Sequence, residues 1–348
     1  MTKAQKTIHL ALQGGGAHGA YTWGVLDKLL EDGRVDFDGI CATSAGTMNA
    51  VVLTYGKMQG GNAGAREALH NFWHEVSECG HSSFVPHEYI KSPDKYPAYK
   101  MMAHMMYSIF VSVTHIISPY QFNPGNHNAL RSIITKQVDF DKLRKSKTNN
   151  LFISTTCVKT GKVKIFKNKE LSADVVMASA CLPYLFQAVK VKNQYYWDGG
   201  YMGNPAIFPI FNHGKTSDIL IVHVNPIIRK NLPHQADEIM DRINEITFNS
   251  SLISEFRAVH FVNKLLEDGW IKDKFKKNLK HILVHSIRAD NVLNKYDISS
   301  KFDTNWHFLT HLRDLGRQEA KHWLAKNFRH LGKKSTVNIQ NEYLHHGD

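Results

Sequence analysis

The chain has 348 residues, 43% of them hydrophobic and 21% charged, a composition that excludes a disordered or fibrous chain and leaves room for one large α/β domain with an extension, or for two domains. Its 43 Lys and Arg against 31 Asp and Glu give a formal net charge of +12. That balance suits an anionic partner, either nucleic acid or an acidic membrane surface, or simply a solvated basic face; the absence of a dense Lys/Arg run with interleaved aromatics argues against a nucleic-acid groove. Residues 8–13 form a short apolar run, too short for a signal-peptide core, that ends in Gly14-Gly15-Gly16. A helix follows, with Trp23, Leu26 and Leu30 on one face and Gly33 as its stop. Residues 37–43 read as a second buried strand. The next helix, 45–55, carries Ala45, Met48, Val52 and Tyr55 on one face and is expected to end at Gly56. A third helix, 63–79, stacks Leu69, Phe72 and Val76. Strand–helix–strand–helix order predicts a parallel sheet with helices on both faces.

The stretch 81–126 breaks this rhythm. It opens with prolines and lysines, and residues 101–118 then contain no Asp, Glu, Lys or Arg while being rich in Met, Ile and Val. The length is borderline for a bilayer span, and His104, Ser108, Ser112, Thr114 and His115 dilute it. It reads either as an apolar lid that touches membranes or as a buried core helix. A helix over 128–137 comes next, and strands 151–158 and 163–167 flank the hairpin signal Lys159-Thr160-Gly161-Lys162. A helix over 173–181 stops at Pro183, and Val189 and Val191 alternate with lysines up to Tyr195-Tyr196-Trp197. Beyond lie apolar runs at 219–224 and 282–287, helices over 239–266 and 302–328, and an expected polar tail over 333–348. Cys41, Cys79, Cys157 and Cys181 are scattered, which fits reduced thiols and a cytoplasmic protein, peripheral to a membrane at most; export without an N-terminal signal stays open. Among 21 histidines, His70 and His74 stand one helical turn apart, but spacing places no third ligand, so no metal site is predicted.

Three loops carry chemistry. Gly14-Gly15-Gly16-Ala17-His18-Gly19 joins a strand to a helix, so backbone N–H groups and the helix dipole can face a phosphate or a developing oxyanion. The same residues fit the dinucleotide fingerprint, with Asp36 and Asp38 as acidic candidates about twenty residues on. Ala42-Thr43-Ser44-Ala45-Gly46 sits between strand and helix, the context of a nucleophile elbow, where small neighbours let the turn lift a serine out of the sheet. A small-residue turn with an N-capping serine would read the same. Asp198-Gly199-Gly200 follows a strand; alone it is an ordinary turn, but the three loops together are far more specific.

With these loops in this order, the chain resembles the patatin-like phospholipases, whose pattern is a glycine-rich loop with Arg or Lys, then GxSxG, then DGG or DGA. The resemblance runs over residues 8–211 and includes Ala178-Ser179-Ala180-Cys181-Leu182-Pro183, the helix and stop ahead of the aspartate motif. It implies a three-layer α/β/α patatin-like fold with a mainly parallel central sheet: a catalytic domain over 8–211, a possible lid at 81–126, and a helical C-terminal extension over 212–348 packed on the core. It also implies a Ser–Asp dyad without histidine or cofactor. By position, Ser44 is the nucleophile, Asp198 the base, and the amides of Gly14, Gly15 and Gly16 the oxyanion hole, with Gly19, Ala42, Gly46, Gly199 and Gly200 supporting the turns. Ala42 stands where the elbow has glycine, and His18 where the glycine loop has its basic residue. The expected activity is hydrolysis of lipid carboxylic esters, phospholipids or lysophospholipids, at anionic membranes. Its rivals are a lipid-binding or regulatory protein with a decayed site and a nucleotide-binding oxidoreductase. A carboxylate with a normal pKa near 4 is a weak base, so burial beside Tyr195, Tyr196 and Trp197 is expected to raise that of Asp198.

Overall fold

A computed structural model describes residues 5–79, 98, 101–102, 105, 109, 113–114, 116–211, 213–214, 216–229, 232–276, 279–296 and 298–344. Most of the expected lid at 81–126 therefore lies outside the described residues. Eight strands form one sheet: β1 (Lys6–Leu12), β2 (Val35–Ala42), β3 (Asn150–Cys157), β4 (Val163–Lys167), β5 (Val189–Val191), β6 (Gln194–Asp198), β7 (Asp218–His223) and β8 (Leu283–Arg288). Their order is β5-β6-β3-β2-β1-β7-β8, with β4 pairing β3 off this path. The pairs β3–β2, β2–β1, β1–β7 and β7–β8 are parallel, and β4, β5 and β6 form the antiparallel end.

The period-two alternation of the strands feeds two cores. Leu10 and Leu12 of β1, with Leu220 and Val222 of β7, face a core built with helices α1 (Gly19–Asp32), α2 (Ala45–Cys79) and the later helix Trp306–Asn327. Ala11, Ile219 and Ile221 face the other, covered by helix Ala236–Glu267 through Leu252, Phe256 and Val259. The result is a three-layer α/β/α fold. The segment beyond residue 211 is integral to it, since β7 sits directly beside β1 and the helix Ala236–Glu267 packs on the second core.

Two sequence expectations change. The helix after the elbow does not end at Gly56; it continues and kinks at Gly60 and Gly61, where φ is −143° and +61°. Gly56 instead lets the two limbs touch, since a Cβ there would lie 2.5 Å from the Gly64 carbonyl oxygen. The stretch 333–344 is not a polar tail: Val337, Ile339 and Tyr343 are buried against the second core. Ser335 accepts from the Val284 N–H, and Tyr343 Oη lies 3.0 Å from His223 Nε2. Three apolar side chains spaced among polar ones carry no periodic signal, which is why this packing is invisible in the one-dimensional pattern.

Candidate active site

Parallel strands β1 and β2 end side by side, and their C-terminal turns are the glycine loop and the elbow. That is where α/β sheets place ligands. Asp36 and Asp38 stand at the opposite end, Asp36 level with Thr7, and Asp36 is ion-paired to Lys57. At about 3.3 Å per residue this leaves them roughly 20 Å from the glycine loop, so the dinucleotide reading fails on geometry.

Ser44 adopts φ +54°, the left-handed conformation that a bulky residue avoids and a strained elbow imposes. Its own N–H donates to Ser179 Oγ at 3.0 Å, and Ser179 in turn donates to the Ser154 carbonyl at 2.8 Å and meets Thr47 Oγ1 at 2.8 Å. Thr43 Oγ1 donates to the Gly203 carbonyl at 2.6 Å, tying the elbow to the turn after Asp198. Ala42 is the last residue of β2, fully buried between Leu12 and Ile153, and has no left-handed φ. Alanine at this elbow position is therefore unstrained.

Asp198 ends β6, which runs antiparallel to β3. Its carboxylate accepts the Gly200 N–H at 2.7 Å. Burial pushes its pKa up to about 7, against the Gly200 N–H and the nearby Ser44 side chain, which lower it. Of the strand aromatics, Tyr195 is exposed and Tyr196 is buried edge-on against Phe166. Cys181 and Tyr201 lie within range of its charge, and burial together with that charge holds both of them protonated.

The glycine loop lies directly over the elbow. A Cβ on Gly14 would come 2.5 Å from Ser44 Cβ, so only glycine permits this approach. Gly16 has φ +59°, again a glycine conformation. The Gly14 N–H is already taken by Asn204 Oδ1 at 2.7 Å, and among the described residues no acceptor takes those of Gly15 and Gly16. Any oxyanion pocket here is thus built from the latter two. The supporting glycines sit at close approaches: Gly19 against Ala45, Gly46 against the Leu12 carbonyl, Gly199 against the Ser154 carbonyl and Gly200 against Phe248.

His18, His213, His70 and His74 stand apart from this chemistry. His18 is buried, its pKa pulled down to about 3 by desolvation and then by Lys301 and Arg229, and Nε2 meets Ser300 Oγ at 2.8 Å. It is a neutral structural group. His213 lies by Asp38, His9 and Gly39, five residues before Ser44 along an extended strand. His70 and His74 stack on each other and meet Trp306 edge-on, and among the described residues no three metal-ligating side chains cluster.

Sequence reasoning missed the polar frame behind the loop. Gln13 donates to the Asn204 carbonyl and to Asn249 Oδ1, and its Oε1 accepts the N–H groups of Val224 and Asn225. Asn225 Nδ2 donates to the Gly14 carbonyl at 2.7 Å. The available signal was position: Gln13 follows directly on the C-terminal end of β1, and Asn225 stands two residues beyond that of β7.

A mostly parallel sheet with a strained serine elbow, a buried aspartate beside it and a glycine loop above defines the fold and site plan of an α/β lipid hydrolase. Residues 10–210 match the family described as patatin-like phospholipase, and the chain belongs to that family. No curated protein is significantly similar in sequence. Among solved structures, VipD from Legionella pneumophila is similar at 14% identity and a TM-score of 0.41 over 98% of this chain and 73% of that one. ExoU from the type III secretion system of Pseudomonas aeruginosa, solved in complex with SpcU, is similar at 13% identity and a TM-score of 0.35 over 93% of this chain and 53% of that one.

Proposed function

We propose that the protein is a serine acyl hydrolase that cleaves carboxylic esters of lipids through Ser44 and Asp198. The observation that carries this reading is the elbow Ser44 next to a buried carboxylate whose pKa is raised to about 7 by burial and lowered by the Ser44 side chain. A base near neutrality combines a usable ionised fraction with real proton affinity. In the proposed cycle Asp198 takes the hydroxyl proton as Ser44 Oγ bonds to the ester carbonyl carbon. The negative charge forming on the carbonyl oxygen is met by the N–H groups of Gly15 and Gly16. Collapse breaks the bond to the leaving alkoxide, which receives the proton from Asp198, and leaves an acyl-serine. Water then attacks the acyl carbon, giving its proton to Asp198, and the second collapse returns that proton to Ser44 and frees the fatty acid.

Two exposed apolar surfaces favour a lipid substrate and peripheral contact with an anionic membrane. Met101, Met105, Ile109, Val113 and Ile116, at spacings of three or four residues, are all exposed, contrary to a buried core helix. Ile239, Met240, Ile243 and Ile246 are exposed on the helix Ala236–Glu267, two residues before Phe248, whose ring meets Tyr201. The net charge of +12 supplies attraction to anionic headgroups. Among the described residues no helix is long and apolar enough to cross a membrane.

Activity-based labelling tests the chemistry. Wild-type protein is expected to react covalently with a fluorophosphonate at Ser44 and Ser44→Ala to be silent, with ester hydrolysis lowered by about 10³-fold or more. A Ser44→Ala protein that keeps half the activity refutes the assignment. Co-sedimentation with phosphatidylserine vesicles tests the surface: Ile243→Ser with Ile246→Ser should weaken binding, and equal binding removes that helix from the membrane contact.

A further inference from the structure

The short helical turn Ile298–Phe302, far beyond the family match, packs on the glycine loop. Two adjacent residues of this turn grip the loop from different sides. Ser300 Oγ meets His18 Nε2 at 2.8 Å. The Lys301 carbonyl oxygen lies where a Gly16 Cβ would be 2.3 Å away, so it holds the left-handed Gly16 in place. The Lys301 side chain continues under the loop, and its Nζ donates to Asn225 Oδ1 at 3.0 Å. Asn225 Nδ2 donates in turn to the Gly14 carbonyl at 2.7 Å.

The Gly14 carbonyl and the Gly15 N–H belong to one planar peptide unit. A hydrogen bond accepted at the carbonyl polarises that unit and makes its N–H a stronger donor, and a chain of such bonds reinforces itself. We propose that Lys301 is a positioning residue of the oxyanion pocket, acting through Asn225 and the Gly14–Gly15 peptide to orient and strengthen the Gly15 N–H toward the developing oxyanion. The proposal rests on the Ser44 reading above and adds to it a residue from outside the family match.

Burial lowers the Lys301 pKa, while Glu245 and Asp241 favour its charged form. His18, Pro226, Arg229, Asp241, Glu245, Leu293, Tyr296 and Lys301 enclose a cavity of about 10 Å³, room for about one water molecule. Glu245 is bridged by both Arg229 and Arg242. With Asp241 and Lys301, and with Glu238 in range of Arg229, the cluster is a balanced set of cations and carboxylates beneath the loop. Lys301 and Arg229 both disfavour protonation of His18 after burial has done so. They do not act on the Asp198 carboxyl, whose shift arises from burial, Gly200 and Ser44. Lys301 therefore serves the oxyanion side of the reaction and leaves the base untouched, which separates it experimentally from a residue that merely holds the fold.

The test is steady-state hydrolysis of a soluble short-chain aryl ester, with fluorophosphonate labelling rates over a pH series, for wild type, Lys301→Met and Lys301→Arg. Lys301→Met is expected to lower kcat and the labelling rate roughly tenfold or more. KM should stay within about twofold and the pH inflection should stay near 7, as Asp198 sets it. Lys301→Arg, which keeps the charge, should recover most of the loss. Wild-type kcat in folded Lys301→Met overturns the proposal, as does an Arg variant as impaired as the Met variant. Should Lys301→Met fail to fold, Asn225→Ala removes the relay with Lys301 in place; it should show the same loss in kcat, and unchanged kcat overturns the proposal. In the double variant the losses should not add, and additive losses overturn the relay. A wild type that neither labels nor hydrolyses overturns the Ser44 reading itself, a result distinct from an active wild type indifferent to Lys301.

Discussion

Asp198 and Asp218 are buried under opposite terms. Asp198 is 2% exposed and Asp218 4%. Among the described residues the Asp198 carboxylate has the Gly200 N–H and the nearby Ser44 side chain as partners and no ion pair, and burial lifts its pKa to about 7. Asp218 opens β7 at the other end of the sheet, where His285 Nε2 lies 2.8 Å from Oδ1 and the Gly332 N–H donates to the same oxygen at 2.8 Å. His285 Nδ1 also meets Thr336 Oγ1 at 3.0 Å. One carboxylate is short of partners and is the one proposed above as a base; the other is saturated and fastens the C-terminal segment to the sheet. Burial alone does not make a catalytic acid or base; burial with an incomplete shell does.

The sharpest way to break this comparison is Asp198→Asn. It keeps the shape and removes the base, so hydrolysis and labelling of Ser44 should fall by about 10³-fold or more. Stability should move the other way. The folded pKa of about 7 lies above the ordinary 3.8, so the native state binds the extra proton between those values. The stability contributed by the protonated form is full at low pH and is lost as pH rises from about 4 to 7, up to about 4 kcal/mol at 1.36 kcal/mol per unit. Asp198→Asn should therefore be more stable than wild type at pH 8 and equal to it near pH 3.5, read by denaturant midpoints. Equal stability at pH 8 means the carboxylate is solvated. Wild-type activity should likewise drop as pH falls below about 7.

Asp218→Asn is the counterpart. Breaking this buried pair should cost about 3–5 kcal/mol of stability while the folded fraction labels like wild type. A variant with wild-type stability and lost labelling reverses the roles assigned to the two sites. Tyr343→Phe removes one buried hydrogen bond to His223 and should cost about 1 kcal/mol; a change near zero in the thermal midpoint means the apolar contacts of Val337 and Ile339 hold the segment alone. The smallest expected effect is on catalysis by His213→Gln. His213 sits beside Asp38 and His9, and labelling should stay within about twofold. A silent variant replaces the Ser–Asp dyad with a histidine mechanism.

The turns of the site were legible in the sequence because each is built from neighbours along the chain. Gly14 to Gly16, Ser44 between Thr43 and Ala45, and Asp198 before two glycines are local solutions to backbone geometry, and their residue types are what such turns demand. The short apolar runs of β1 and β7 likewise announce buried strands, which the fold covers on both faces. The kink at Gly60 and Gly61 was misplaced to Gly56 because a glycine at a helix–helix contact and a glycine at a break look alike in one dimension.

What the tertiary structure alone decided is which local features meet. No spacing rule connects Gln13 to Asn204 and Asn249, or Lys301 to Asn225 and the Gly14 carbonyl. Those bonds join residues up to 236 positions apart, brought together only when β1, β7 and the helix Ala236–Glu267 pack into one sandwich. The same holds for the two aspartates. An Asp-Gly-Gly turn and an Asp at a strand start are both unremarkable in sequence, and their opposite characters follow from which side chains the fold leaves beside them. Short-range sterics write the turns into the chain; desolvation and long-range hydrogen bonding, which set the chemistry, exist only once distant segments have closed around them.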